Sequence, residues 1–483
     1  MRVKRFLAVS IAMVHMAAVI AVIVIIGINS ETVLGRGHPI FTGELERGAT
    51  IRVLENDTAI SQGFFSELLT AFNEEFAEYG ITAVDANQDQ FIDLEQAGPF
   101  GFGSCVIFQA NDRIMRFADG GHIFDLPIEE LAVYEYIDYN AWDAFRAELY
   151  DIVLDDRGYP VLDDNGQPIL ESREMVLGVP VKIQAPVIYY RRSLVDPEVL
   201  TSWRNIYLFN RRVNAGQYPG IQRGYIRSMV DPYFNFKYLL SYGAYIFGDN
   251  NTDPTSIGLS RNGSERGVGV MRQLANSMDS RVSGDDLTPL IYEQLARGNF
   301  AMSMTTPDVY TLFIDALMRT GFSREAAVAE LGVAPIPPLP YCGDLTNPNA
   351  TLIPTISMGG VNGYAISAYT NYPNAAFAFI DFATSFDMIR RRNELLGIVP
   401  ARYDVAYEVG GISPIVGNAL AEGQILVMPS IREMAQVWGP VRTFFMDVSL
   451  DAFRSFSLLA TPAQQQARLR TLDDTIYRAI WTF

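Results

Sequence analysis

The sequence predicts an α/β protein of more than one domain, on three observations. Thr50–Leu54 reads as a strand, Phe64–Phe76 as an amphipathic helix and Ile81–Val84 as a second strand, the order of a βαβ unit. Two extended stretches limited by prolines, Gly178–Tyr190 and Leu331–Pro340, interrupt the later helices and strands. At 483 residues, the chain has material for two or three buried cores.

Composition narrows the chemistry. Apolar residues make up 49% and aromatic ones 12%, which suits a globular chain and excludes a disordered one. A formal net charge of -18 opposes nucleic acid or an acidic polymer as partner and favours a neutral or cationic ligand. The two cysteines, Cys105 and Cys342, form no CxxC and no metal-ligand spacing. His15, His38 and His122 are scattered, so neither a zinc site nor a Ser-His-Asp constellation assembles from neighbours. No catalytic residue, metal or cofactor is expected.

In chain order, Arg2, Lys4 and Arg5 precede the apolar run Phe6–Ile28. That pattern is an export signal, and the run is also long enough to span a bilayer as an uncleaved anchor. Val33-Leu34-Gly35 is a weak processing site, and Glu31–Thr50 forms a polar, Gly-rich tether. The helix after the first strand buries Phe65, Leu68, Leu69, Phe72 and Phe76, which recur at helical spacing. Asp85–Asp93 places oxygens at several calcium-loop positions but lacks the central glycine and the closing glutamate, so it reads as a polar surface loop. Cys105–Phe108 is a buried-strand run, and Gln109-Ala-Asn-Asp-Arg113 follows its carboxyl end, where open α/β sheets place ligands. Asp112 and Arg113 would offer an acceptor and a forked donor to hydroxyls; a surface ion pair is the plainer reading. Asp155–Leu162 is repeated as Asp163–Leu170, which suggests small hairpins on the surface. Asp231-Pro232 reads as a helix start, and Val268–Met278 and Ala463–Ile480 as helices.

The stretch Met428–Phe445 is the most informative. Pro429-Ser430 should open a helix. Met434, Val437, Val441, Phe444 and Val448 then recur at steps of three and four, and Pro440 should kink or divide the helix. Trp438, one of four tryptophans, could floor an apolar pocket, lie under a sugar ring or simply fill the core.

This stretch resembles the MPxxPxMxxxWxxVRTA segment of the maltodextrin-binding proteins, a branch of the extracytoplasmic solute-binding proteins of ABC importers. Met428, Pro429, Met434, Trp438, Val441, Arg442 and Thr443 match. Cys105–Pro127 is similar to the family segment in which an Asp-Arg pair contacts sugar hydroxyls, here Asp112 and Arg113, with Gln109 in place of a stacking tryptophan. Gly178–Tyr190 resembles the first crossover, with Gln184 at a ligand-touching position. The segment from Asp231 to Phe247 resembles one whose acid and tyrosine contact ligand, which points to Asp231 and Tyr233. In the segment after Tyr292, Asp308 replaces a second stacking tryptophan and Tyr310 stands close by.

The resemblance implies a periplasmic-binding-protein-like fold of type II: two α/β lobes, joined by three hinge crossovers, behind an N-terminal membrane segment. It assigns residues 1–46 to the signal or anchor and tether, 47–182 and 333–397 to lobe 1, and 183–332 and 398–483 to lobe 2. The implied work is binding and not catalysis. A sugar or oligosaccharide would be held by Gln109, Asp112, Arg113, Gln184, Asp231, Tyr233, Asp308, Tyr310 and Trp438, then passed to the permease subunits of an ABC importer. A disulfide between Cys105 and Cys342 stays open. So do two other readings: an anchored sensor or structural protein, and a glycoside hydrolase built on Asp112 and Asp231.

Overall fold

Two β-sheets organise the molecule, and the chain passes between them. A computed structural model of the protein describes residues 40–87, 93–153, 159–163, 167–284 and 287–481. The chain enters the first sheet with β1 (Thr50–Leu54), β2 (Thr82–Asp85), β3 (Val106–Ala110) and β4 (Val179–Gln184). It moves to the second with β5 (Val187–Arg191), β6 (Arg223–Tyr225), β7 (Phe300–Thr305) and β8 (Leu331–Ala334). It returns to the first with β9 (Ser357–Ile366), β10 (Val399–Pro400) and β11 (Ile425–Val427). The first sheet has the order β10-β4-β9-β3-β1-β2, with β11 beside β9; the second has the order β8-β5-β7-β6.

The strands are apolar because helices cover both faces of the sheets. β5 and β7 are buried at every position, and β4 and β9 at all but one, which removes the alternation a half-exposed strand would show. Helix α1 (Phe64–Glu75) buries Phe64, Phe65, Leu68 and Phe72; of the residues its spacing singles out, Leu69 and Phe76 are only partly covered. The Phe72 ring meets Phe76 at 4.4 Å and Phe379 at 5.0 Å. Each ring so buried contributes about 1.5–3 kcal/mol. A charged pair sits inside this core. Arg392 grips Glu55 with two hydrogen bonds, of 2.8 and 3.1 Å, and the Tyr364 hydroxyl donates to the same carboxylate at 2.6 Å.

Strand direction fixes where the two sheets meet. β3 pairs in parallel with β1 and antiparallel with β9, and β9 pairs antiparallel with β4. Ala110 therefore lies opposite Asn362, and Gln184 opposite Gly360, at one edge of the sheet. From that edge the chain runs through Ala185-Pro186 directly into β5 of the second sheet.

One detail differs from expectation, and two that the sequence left open are filled in. No helix opens at Ser430: a short 3-10 turn spans Arg432–Gln436, and the helix proper, Trp438–Asp451, begins after Val437. Pro440 thus falls in a first turn, where its missing N–H costs nothing, and the division comes before it. Cys105 and Cys342 are both free. Cys105 is buried beside Thr50, whereas Cys342 is exposed on the loop after β8, so no disulfide joins them. The repeated Asp-rich segment belongs to a longer hairpin in which Arg146–Ile152 pairs with Leu170–Val176 and Leu162 bridges Pro168.

Residues 154–158 and 164–166 of that repeat lie outside the described residues, as do 88–92 of the calcium-like loop and the N-terminal residues 1–39. Among the described residues, no cluster of His, Cys, Asp and Glu is placed to hold a metal, and no helix is long and apolar enough to cross a membrane.

Candidate ligand-binding site

The edge where the sheets meet collects most of the residues singled out by sequence. At the carboxyl end of β3 the chain turns straight into a helix, Asn111–Asp119, which puts three polar side chains at the junction. Asn111 is fully buried and spans the gap. Its amide donates to the Met428 carbonyl at 3.1 Å and to Ser430 Oγ at 2.7 Å, while its oxygen accepts from the Val361 amide. Ser430 in turn donates to the Ala144 carbonyl at 2.8 Å, so the segment leading to Trp438 is tied down at two points.

Asp112, next in line, lies within reach of the Arg113 backbone and of the Trp438 side chain, whose N–H groups favour its ionised form. Burial pushes its carboxyl up from the usual range, and those N–H groups with the Arg113 charge oppose the rise only in part. Trp438 stands edge-on to Phe236, with centroids 6.2 Å apart. Its indole N–H faces Asp112, and the ring is only partly covered. Arg113 itself is exposed, and Gln109 is half-buried opposite Gly363.

A second cluster forms where β4 meets the turn after β7. Lys182 and Gln184, two residues apart, project from one face of β4. Lys182 Nζ pairs with Asp308 Oδ2 at 2.6 Å, and Gln184 Nε2 donates to the same oxygen at 2.8 Å. Burial would raise the Asp308 carboxyl, but the Lys182 charge and its hydrogen bond, with one from Thr306, hold it below the ordinary range. The Tyr189 hydroxyl donates to the Pro307 carbonyl at 3.0 Å and so steadies the turn that carries Asp308.

Tyr233 closes this cluster by donating its hydroxyl to the Gln184 carbonyl at 3.1 Å. Burial, reinforced by the charges of Asp308 and Asp231, drives its phenol well above the usual range, so it is a neutral donor. Asp231 caps the short helix Pro232–Asn235, accepting from the Tyr233 amide at 3.1 Å, and lies 3.5 Å from Arg227.

The structure thus brings Gln184, Tyr233 and Asp308 into one network, joins Asp112 to Trp438, and sets Asp231 beside the first group. Tyr310 stands apart, packed against Gly397, where an added Cβ would come 3.0 Å from its own Cβ. Two contributors escaped the sequence reading. Lys182 was legible as the one charge inside the apolar stretch Val179–Tyr190, a position a buried lysine occupies only with a partner. Asn111 carried no such signal, because its role depends on Met428 and Ser430, which are distant in sequence.

This geometry has relatives. The family model for bacterial extracellular solute-binding proteins matches residues 67–412. The chain belongs to that family. Among curated proteins, the maltodextrin-binding protein MdxE of Bacillus subtilis (strain 168) is 22% identical over 400 residues, covering 80% of this chain and 83% of its own. Two solved structures share the fold. The maltose-binding periplasmic protein MalE from Listeria monocytogenes, solved in complex with maltose, aligns at TM-score 0.62 and 19% identity, over 88% of this solute-binding protein and 97% of its own chain. MalX from Streptococcus pneumoniae, in complex with maltopentaose, aligns at TM-score 0.65 and 19% identity, over 88% and 99%. The solute-binding protein therefore has the α/β fold of the maltose-binding proteins and works outside the cytoplasm, as its family does.

Proposed function

We propose that this solute-binding protein captures a neutral oligosaccharide of the maltodextrin class between two lobes and delivers it to the permease of an ABC importer. Strand pairing supports a first lobe built on the β1–β4 and β9–β11 sheet and a second built on β5–β8. The crossings are then Ala185-Pro186, residues 335–356, and residues 428–437, the last because Ile425–Val427 pairs with β9. The observation that carries the reading is the pairing of Asp112, from the first lobe, with Trp438, which packs on the second through Phe236. A carboxylate beside a partly open indole face is suited to a sugar, whose hydroxyls donate and whose C–H face stacks.

Asp112, Arg113 and Gln109 would bind ligand from the first lobe. Tyr233, Asp231 and Asp308 would bind it from the second, with Gln184 at the hinge. Tyr310 would serve only at the margin. Ligand contacting both lobes favours the closed state by its differential affinity for it. The run Phe6–Ile28 would hold the protein at the outer face of the membrane. A hydrolytic pair of Asp112 and Asp231 is disfavoured because Asp231 is already engaged by the Tyr233 amide and Arg227.

The test is calorimetric titration with maltose through maltopentaose, then with other neutral sugars. Saturable binding that is lost in Trp438→Ala supports the proposal. Binding of a non-sugar solute would overturn the ligand class, and no binding at all would favour the sensor reading.

A further inference from the structure

The end of the first sheet opposite the ligand edge carries two exposed phenylalanines on one glycine-rich loop, Gly98-Pro-Phe-Gly-Phe-Gly103. Phe100 is 78% and Phe102 52% exposed. Scattered apolar residues are ordinary on a surface, but two within three positions, in a loop without a charge, form a patch. The loop is held at its base. Gly98 presses on the Tyr369 ring so closely that a Cβ would come 2.3 Å from it, and the Tyr369 hydroxyl lies 2.6 Å from His122 Nδ1. Gly101, between the two rings, and Gly103, after them, take φ of 79° and 104°, a backbone that glycine adopts without strain.

The N-terminal chain leaves from this same end. β3 begins beside β1, with the Cys105 amide on the Arg52 carbonyl, so the residues before Cys105 and those before Thr50 emerge together. The segment before Thr50 stays there. Phe41 packs on Phe124 and Phe377 at 6.0 and 5.4 Å, and the Thr42 and Gly43 amides donate to Asn374. Phe124 in turn bonds the Ile366 carbonyl, next to Ser367, which bonds Cys105. Ile40 therefore stands at the loop's end of the sheet, and residues 29–39 reach at most roughly 40 Å from it.

We propose that in the anchored protein this loop rests on the bilayer, with Phe100 and Phe102 in its interfacial layer. The inference depends on Phe6–Ile28 being a membrane anchor. An aromatic pair beside a tether is suited to that layer, and insertion would be apolar, since the net charge of -18 opposes attraction to anionic lipid. The ligand edge then lies at the far end of the lobe from the membrane, so the protein must tip to meet a permease.

The test uses the full chain with Cys342→Ser and Phe100→Cys, carrying an environment-sensitive dye at position 100, in phosphatidylcholine vesicles. The same dye on Phe456→Cys, a site 77% exposed on the second-sheet side, is the control. Co-flotation with the vesicles, a blue shift at position 100 alone, and its loss of fluorescence to spin-labelled lipid are the expected results. Flotation with a dye as polar as the control overturns the contact and leaves the anchor standing. A blue shift that spin-labelled lipid does not quench overturns it in favour of a second copy of the chain. Absence of flotation overturns contact and anchor together.

Discussion

Trp438 and Asp112 show how two side chains share one role. The carboxylate lies beside the indole N–H, and burial has raised its proton affinity. A ligand that donates hydroxyls to Asp112 binds best to the ionised form, so affinity should fall as pH drops through the raised pKa, starting above the usual aspartate range. Titrations across acidic pH would show this fall in the wild type; Asp112→Asn should bind more weakly and lose that dependence. Trp438→Ala should cost about 2 kcal/mol of binding, more than tenfold in Kd, with little change in melting temperature, because the ring is only partly covered. Lys182 and Asp308 form the other residue-scale pair, with side chains 4% and 14% exposed. Lys182→Met leaves a buried carboxylate without its cation and should destabilise the fold by about 3 kcal/mol. Denaturant melts of Lys182→Met, Asp308→Asn and the double variant would measure the coupling, which vanishes if the pair is merely adjacent.

At the scale of elements, the first sheet is held by packing and by a buried charge network around Arg392. Arg392 is held by Glu55 and Tyr364 and stacked on Phe108 at 4.1 Å, where burial would lower its pKa but the Glu55 charge raises it. It ties the helix Phe386–Leu396 to the end of β1. Arg392→Met should remove about 3–5 kcal/mol by stranding Glu55, which a drop in denaturation midpoint would register. The crossing elements are tied differently. Asn111 links β3 to Met428 and Ser430, and Tyr233 links its short helix to the Gln184 carbonyl. Asn111 makes two such hydrogen bonds and Tyr233 one, few enough for a hinge to exchange.

For the whole molecule, two sheets joined by successive crossings predict closure on ligand. Small-angle scattering should show a smaller radius of gyration when oligosaccharide is added, and no change with Trp438→Ala at the same concentration. An unchanged radius with saturating ligand would count against a hinged capture mechanism. The anchor belongs to this scale too. Full-length protein should remain in the membrane fraction after an alkaline wash, whereas release would indicate a cleaved signal.

The sequence by itself determined the α/β class, the helix Phe64–Glu75 and the βαβ start, because hydrophobic period and turn chemistry are local. It also determined the family, since motifs such as Met428-Pro429 and Trp438-x-x-Val441-Arg442-Thr443 keep their spacing whatever surrounds them. Most of the candidate residues were singled out by those same family motifs; only Gln109, Asp112 and Arg113 were also placed by their position after a strand. Tertiary structure alone decided that Asp308 is paired with Lys182, that Asn111 spans to Ser430, that Tyr310 turns to Gly397, and that Cys105 and Cys342 stay apart. Each of those depends on which strands lie side by side. That order is set by burying the apolar faces of the whole chain at once, and no local stretch records it.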